Sequence, residues 1–174
     1  MLTKSKFVIV VILILTGIQN GFSKMPPYVA LKILSADINV GTKINDSTGQ
    51  VTISNLEIQQ NIIPGDSLLS GLILTNDQPV LQVNSIATYL IFKATNIQGE
   101  HIRVAVEVLQ SNSTFIYQQG GGKEIHLCKS YGNCTGCQFI QALHRIITCN
   151  CDGVMNSMSS TTTGCHHMTK KFRL

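Results

Sequence analysis

The sequence predicts a mainly β protein, with an antiparallel sandwich-like domain followed by a small disulfide-rich module. Three observations predict this. Apolar and polar residues alternate with a period of two in several segments. Clusters of turn-forming residues separate those segments. All six cysteines fall after residue 127, as a segment too small to fold on apolar burial alone would need.

The clearest strand is His101 to Leu109. Ile102, Val104, Val106 and Val108 point one way, and Arg103, Ala105 and Glu107 the other. Ala87 to Ala94 is β-rich and nearly all apolar, as a central strand would be. Val51 and Ile53 alternate, and Leu56 and Ile58 follow out of phase, so a bulge is expected at Ser54-Asn55. Tyr28 to Val40, Leu68 to Leu74, Val80 to Val83 and Thr114 to Tyr117 complete about seven short strands, enough for a sandwich or a barrel. Asn45-Asp46-Ser47-Thr48-Gly49, Pro64-Gly65-Asp66, Asn76-Asp77-Gln78-Pro79 and Gln98-Gly99-Glu100 read as turns. In 138–148, Phe139, Ala142, Leu143, Ile146 and Ile147 fit one face of a helix. A hairpin turning near Leu143-His144 fits the same residues, but no Asn-Gly marks the turn. The pattern slightly favours the helix.

These readings divide the chain. Residues 1–23 form an export signal: Lys4 and Lys6, then apolar Phe7 to Leu15, then Gly21-Phe22-Ser23 at a cleavage site. A nine-residue apolar run is too short to span a bilayer. Residues 25–119 form the sandwich-like domain, with a boundary at Gly120-Gly121-Gly122; 123–168 form the cysteine-rich module and 169–174 a basic tail. The 174 residues are 44% apolar and 13% charged, which excludes wholesale disorder. Residues 24–127 carry 6 basic and 8 acidic side chains, and residues 128–174 carry 5 and 1. A slightly acidic main body argues against a nucleic-acid partner.

The concentrated chemistry is Cys128, Cys134, Cys137, Cys149, Cys151 and Cys165, followed by His166 and His167. An even count in an oxidising compartment points to three disulfides, with fifteen connectivities open. Cys149 and Cys151 share a face if they lie on a strand, and so reach different partners. An alternative is zinc, with ligands drawn from Cys134, Cys137, Cys149, Cys151, His166 and His167. A third is thiol–disulfide exchange at Cys134-Thr135-Gly136-Cys137, which needs a helix N-terminus to lower the first thiol's pKa. The disulfide reading carries neither a cofactor nor a catalytic residue.

Gly132-Asn133-Cys134-Thr135-Gly136-Cys137-Gln138-Phe139, then Ile147-Thr148-Cys149-Asn150-Cys151, then Cys165-His166, resembles a cysteine-rich C-terminal segment of exported Bacteroidetes proteins of unknown function. His167 stands at that segment's usual histidine position, and the usual Asn-Gly between the arms is missing. The resemblance covers about a quarter of the chain, implies export and a small β-rich module, and supplies no activity.

Elsewhere the signals are sparse. His101, His126 and His144 are isolated, although His126 and Cys128 would share a strand face. Glu100 and Glu107 would face opposite sides of one strand. Asp46, Asp66 and Asp77 sit in turns, where aspartates cap backbone more often than they bind calcium. Asn45, Asn112 and Asn133 begin glycosylation sequons. The expectation is an exported, non-enzymatic binding or structural protein, with a cell-surface or periplasmic protein or glycan as partner.

Overall fold

A computed structural model describes residues 37–119, 124–151 and 163–171. The segment read as an export signal and the triple glycine fall outside them. The described chain runs β1 (Asp37–Asn45), β2 (Thr48–Val51), a helical turn α1 (Asn55–Glu57) continued by a π-helical turn (Ile58–Ile62), β3 (Ile73–Leu74), β4 (Val80–Val83), β5 (Thr88–Thr95), β6 (His101–Ser111), β7 (Thr114–Gln118), β8 (Glu124–Tyr131), β9 (Cys137–Ala142), β10 (Arg145–Cys151) and β11 (Gly164–Lys171).

Six strands close on themselves. β1 pairs with β2, β2 with β4, β4 with β5, β5 with β6, β6 with β7 and β7 with β1, all antiparallel. The ring is barrel-like, so the inward residues of all six strands converge on one core instead of on the interface between two facing sheets. β6 is long enough to serve two neighbours along one edge. Leu109 to Ser111 pair with β7, and Ile102 to Val106 pair with β8. β11 then adds to β8. Strands from both sides of the triple glycine thus belong to one sheet, and Lys170 and Lys171 lie in β11.

The period-two reading of β6 holds. Ile102, Val104, Val106 and Val108 join Leu90, Phe92, Leu81, Val83, Phe115, Tyr117, Ile125 and Leu127 in the barrel core. Close packing reaches the backbone at Gly41, where an added Cβ would run into Leu81 and the Gln50 carbonyl. The β5 sequence is apolar throughout because both its faces are covered. Leu90 and Phe92 face the barrel, while Tyr89 and Ile91 face a second cluster with Ala105, Ile146 and Phe139.

Two expectations fail for local reasons. The bulged strand expected around residues 51–58 is a helical turn from Asn55 onward. Ser54 Oγ accepts the Glu57 amide at 3.2 Å while the Glu57 carboxylate accepts the Ser54 amide at 2.9 Å. That capping box satisfies two of the helix's orphan donors, and Ile58, Ile62 and Ile63 are buried in the barrel core from that turn. The second failure is the helix favoured for 138–148, which is the β9–β10 hairpin. Its two-residue turn holds Leu143 at φ 49° and His144 at φ 63°, the conformation that hairpin turns usually give to Asn-Gly. The residue types hid the turn.

Candidate functional site: the stapled outer layer

The alternation of β8 sends Ile125 and Leu127 into the barrel and Glu124, His126 and Cys128 to the outer face. Register carries that face onto both neighbours. Cys128 lies opposite Arg103 of β6 and His167 of β11, and His126 lies opposite Ala105 and Thr169. The β9–β10 hairpin covers this face, placing Ile146 and Phe139 against Tyr89, Ile91 and Ala105.

Three disulfides fix the cover: Cys128–Cys149, Cys134–Cys151 and Cys137–Cys165. Cys149 and Cys151 do reach different partners, as two residues on one strand face should. The three bridges join β8 to β10, the loop before β9 to β10, and β9 to β11. They form one sulfur cluster, because the Sγ atoms of Cys128, Cys137 and Cys165, and those of Cys134, Cys151 and Cys165, lie within 4.8 Å of one another. Cys134 and Cys137 are not bridged to each other, and a strand follows them, so the helix N-terminus that exchange chemistry requires is not there. His166 lies opposite Lys129 and so takes the face of β11 away from Cys165 and His167. The zinc ligand set read from the sequence is therefore split between two faces.

Beneath the hairpin lies a charged network that the sequence did not reveal. His126 is 1% exposed. Its Nε2 sits 3.2 Å from Glu124 Oε2, and its Nδ1 sits 3.1 Å from His167 Nε2. A carboxylate only accepts, so His126 Nε2 donates to Glu124. In the neutral ring Nδ1 then accepts, and His167 Nε2–H is its donor. The two imidazoles are parallel within 2° with centroids 5.3 Å apart. That separation is nearly the N–N distance plus two ring radii, so the rings meet end to end close to one plane. Two imidazoles on one tetrahedral zinc would turn their nitrogens toward a point beside the N–N line, whereas these rings point straight at each other. The geometry is that of a shared proton. Tyr89 and Phe139 set their rings edge-on to His126.

Glu124 also meets Lys171 Nζ at 2.9 Å and Arg145 Nη1 at 3.5 Å. One buried carboxylate thus touches β8, β11 and the hairpin. Burial pushes its carboxyl up, but the Lys171 hydrogen bond and charge, with His126, outweigh that and hold it below its ordinary value. Burial pushes His126 down, partly offset by Glu124, and burial with the charge of His166 pushes His167 down. At neutral pH both imidazoles are uncharged. The sequence signal was the shared strand face of His126 and Cys128, which Glu124 extends by the same alternation, but nothing marked Lys171 or Arg145 as partners 47 and 21 residues away.

The remaining candidates are dispersed. Lys43 pairs with Asp46, and Lys93 with Asp77. Asp66 is buried, caps the Leu68 amide at 2.7 Å and pairs with Lys170 at 2.7 Å. Glu100 pairs with Lys129. Asn112 sits at the exposed β6–β7 turn with φ 55°, as an asparagine tolerates. Among the described residues, no helix is long and apolar enough to cross a membrane. No family model, curated protein or solved structure matches the chain.

Proposed function

We propose that the protein is exported and acts as a non-enzymatic binding module at the cell surface or in the periplasm, with the β9–β10 hairpin as its contact element and a protein as its partner. The Lys4-to-Ser23 export pattern and three disulfides support the compartment. The likeness of the cysteine-rich segment to exported Bacteroidetes proteins points the same way.

The observation that carries the reading is the hairpin apex. Leu143 is 86% exposed and holds a positive φ beside His144. Each such residue costs about 1–2 kcal/mol, and an exposed leucine returns none of it to the core. Ile140 and Ile147 are exposed on the same hairpin. Its base is covalently fixed, so the apex is ordered before a partner arrives, which lowers the entropic cost of binding. Photo-crosslinking tests this in the native host. A photoreactive residue at position 143 is expected to give a discrete protein adduct, and one at the equally exposed Ile97 none. No adduct from 143, or the same pattern from both sites, overturns the reading.

One observation favours a second reading, a zinc module. Five of the six sulfurs, those of Cys128, Cys134, Cys137, Cys151 and Cys165, are gathered closely enough that reduction would create a thiol cluster. Thiol titration and elemental analysis of non-reduced protein separate the two. Near-zero thiols and no metal support the staples; four or more thiols with bound zinc support the metal.

A further inference from the structure

The geometry points to a ligand site for an acidic saccharide, a sugar bearing a carboxylate or a sulfate ester, in the cleft where Arg103 emerges beside the hairpin. This inference does not depend on the hairpin apex and concerns a different surface.

The site begins with a charge arrangement that folding alone disfavours. Lys93 of β5 and Arg103 of β6 are directly opposed in the ladder and line one cavity of about 240 Å³. Like charges in opposed positions destabilise a sheet. Asp77 meets Lys93 at 3.3 Å and balances one of the two cations, which leaves the cavity with a net positive charge from Arg103. The Arg103 guanidinium spends Nη1 on the Cys137 carbonyl at 3.2 Å, and its Nε is buried with no hydrogen-bond partner. A planar fork anchored at one corner suits a carboxylate or sulfate, which accepts hydrogen bonds in that geometry.

The rest of the cleft matches a sugar more than a bare ion. Arg103 also lines a second cavity of about 270 Å³, with the side-chain amides of Gln82 and Gln138 and the apolar surfaces of Ile91 and Phe139. Amides that donate and accept, next to an apolar wall, are what a ring with hydroxyls on its rim and C–H groups on its face requires. Thr135 lies on the other side of Arg103. The loop carrying Thr135 and Gly136 lies between Cys134 and Cys137, each bridged to a different strand. The disulfides therefore hold one wall of the cleft in place.

The test is NMR titration of the oxidised full-length mature chain. The probes are a glucuronate disaccharide, a sulfated disaccharide, inorganic sulfate and a neutral disaccharide, all at matched ionic strength in chloride. Saturable shifts at residues 93, 103 and 135–137 are expected with one of the acidic sugars, and its identity distinguishes the carboxylate source from the sulfate-ester source. Lys93→Gln is expected to weaken binding about tenfold and Arg103→Gln more. Because Arg103→Gln also removes the Cys137 contact, Lys93→Gln is the decisive variant: the Lys93 side chain pairs with the exposed Asp77 and not with the hairpin, so its loss leaves the hairpin's anchoring intact. Shifts at residues 82 and 138 are expected with a sugar and not with sulfate. No saturable shift with either acidic sugar, equal binding of the neutral sugar, or unchanged affinity in Lys93→Gln overturns the proposal.

Discussion

The barrel interior and the stapled outer layer are built against opposite faces of the same strands, yet they hold by different means. The interior is apolar side chains contributed by the ring strands, β8 and the helical turn, fully buried and laid down by alternation in sequence. The outer layer is a two-stranded hairpin with a small apolar contact, three covalent bridges and one ionic network centred on Glu124. A core of that size is cooperative and responds to any lost volume. A hairpin pair alone is at best marginally stable in water, so what holds it should be removable without collapsing the barrel. That separation yields predictions of decreasing size.

The largest effect belongs to the interior. Phe115→Ala empties a site with no exposed surface and is expected to cost about 3–5 kcal/mol. Denaturant unfolding followed by probes in both regions should show them melting together. A selective loss of the hairpin in that variant would mean that the barrel does not rest on this core.

Next comes the covalent link. The Cys128–Cys149 bridge closes a 21-residue separation, and its removal in Cys128→Ser with Cys149→Ser is expected to cost about 2–4 kcal/mol. The loss should show as faster amide exchange confined to β9 and β10, with β5 and β6 unchanged.

Acid comes third. His126 and His167 titrate below the ordinary histidine value of 6.5 in the fold. The unfolded chain therefore binds protons that the folded chain refuses, so stability is full above about pH 6.5 and is lost as pH falls through the window beneath it. Glu124 acts in the same direction at lower pH, because its depressed carboxyl keeps its charge after an unfolded one has lost it. Melting temperature against pH, with His126→Gln as the reference, should show a flatter slope for the variant below pH 6.5. An equal slope would place the proton uptake elsewhere.

The smallest effect has the opposite sign. Leu143→Asn with His144→Gly supplies the residues that a turn with two positive φ angles favours, and a gain of about 1–2 kcal/mol is expected. If the apex is a contact surface, the same variant should lose the crosslink as it gains stability.

The contrast also separates what could be read in the sequence from what could not. Alternation showed β6, an unbroken apolar run marked β5 as a central strand, and β-rich composition marked β4 and β7, because each strand carries these signals in its own residues. It also placed His126 with Cys128, and Cys149 with Cys151, on shared faces. Long-range choices were invisible. The closure of β1 onto β7, the use of β6 by both β7 and β8, and the pairing of six cysteines depend on which strands meet, and residue types do not record that. Two local signals were legible and outweighed. Ser54-Asn55-Leu56-Glu57 is a capping box set inside an alternating pattern, and the hairpin apex uses residues that its turn disfavours. The Glu124–His126–His167 network and the Arg103 cleft fell between these cases, since one strand's share was visible and the partners were not.

Amide hydrogen exchange of the oxidised protein, before and after reduction, tests the division between the regions most directly. Reduction is expected to expose the amides of β9 and β10 while those of β5, β6 and β7 keep their protection. Retained protection in the hairpin after complete reduction, or simultaneous loss of protection in the barrel, would contradict it.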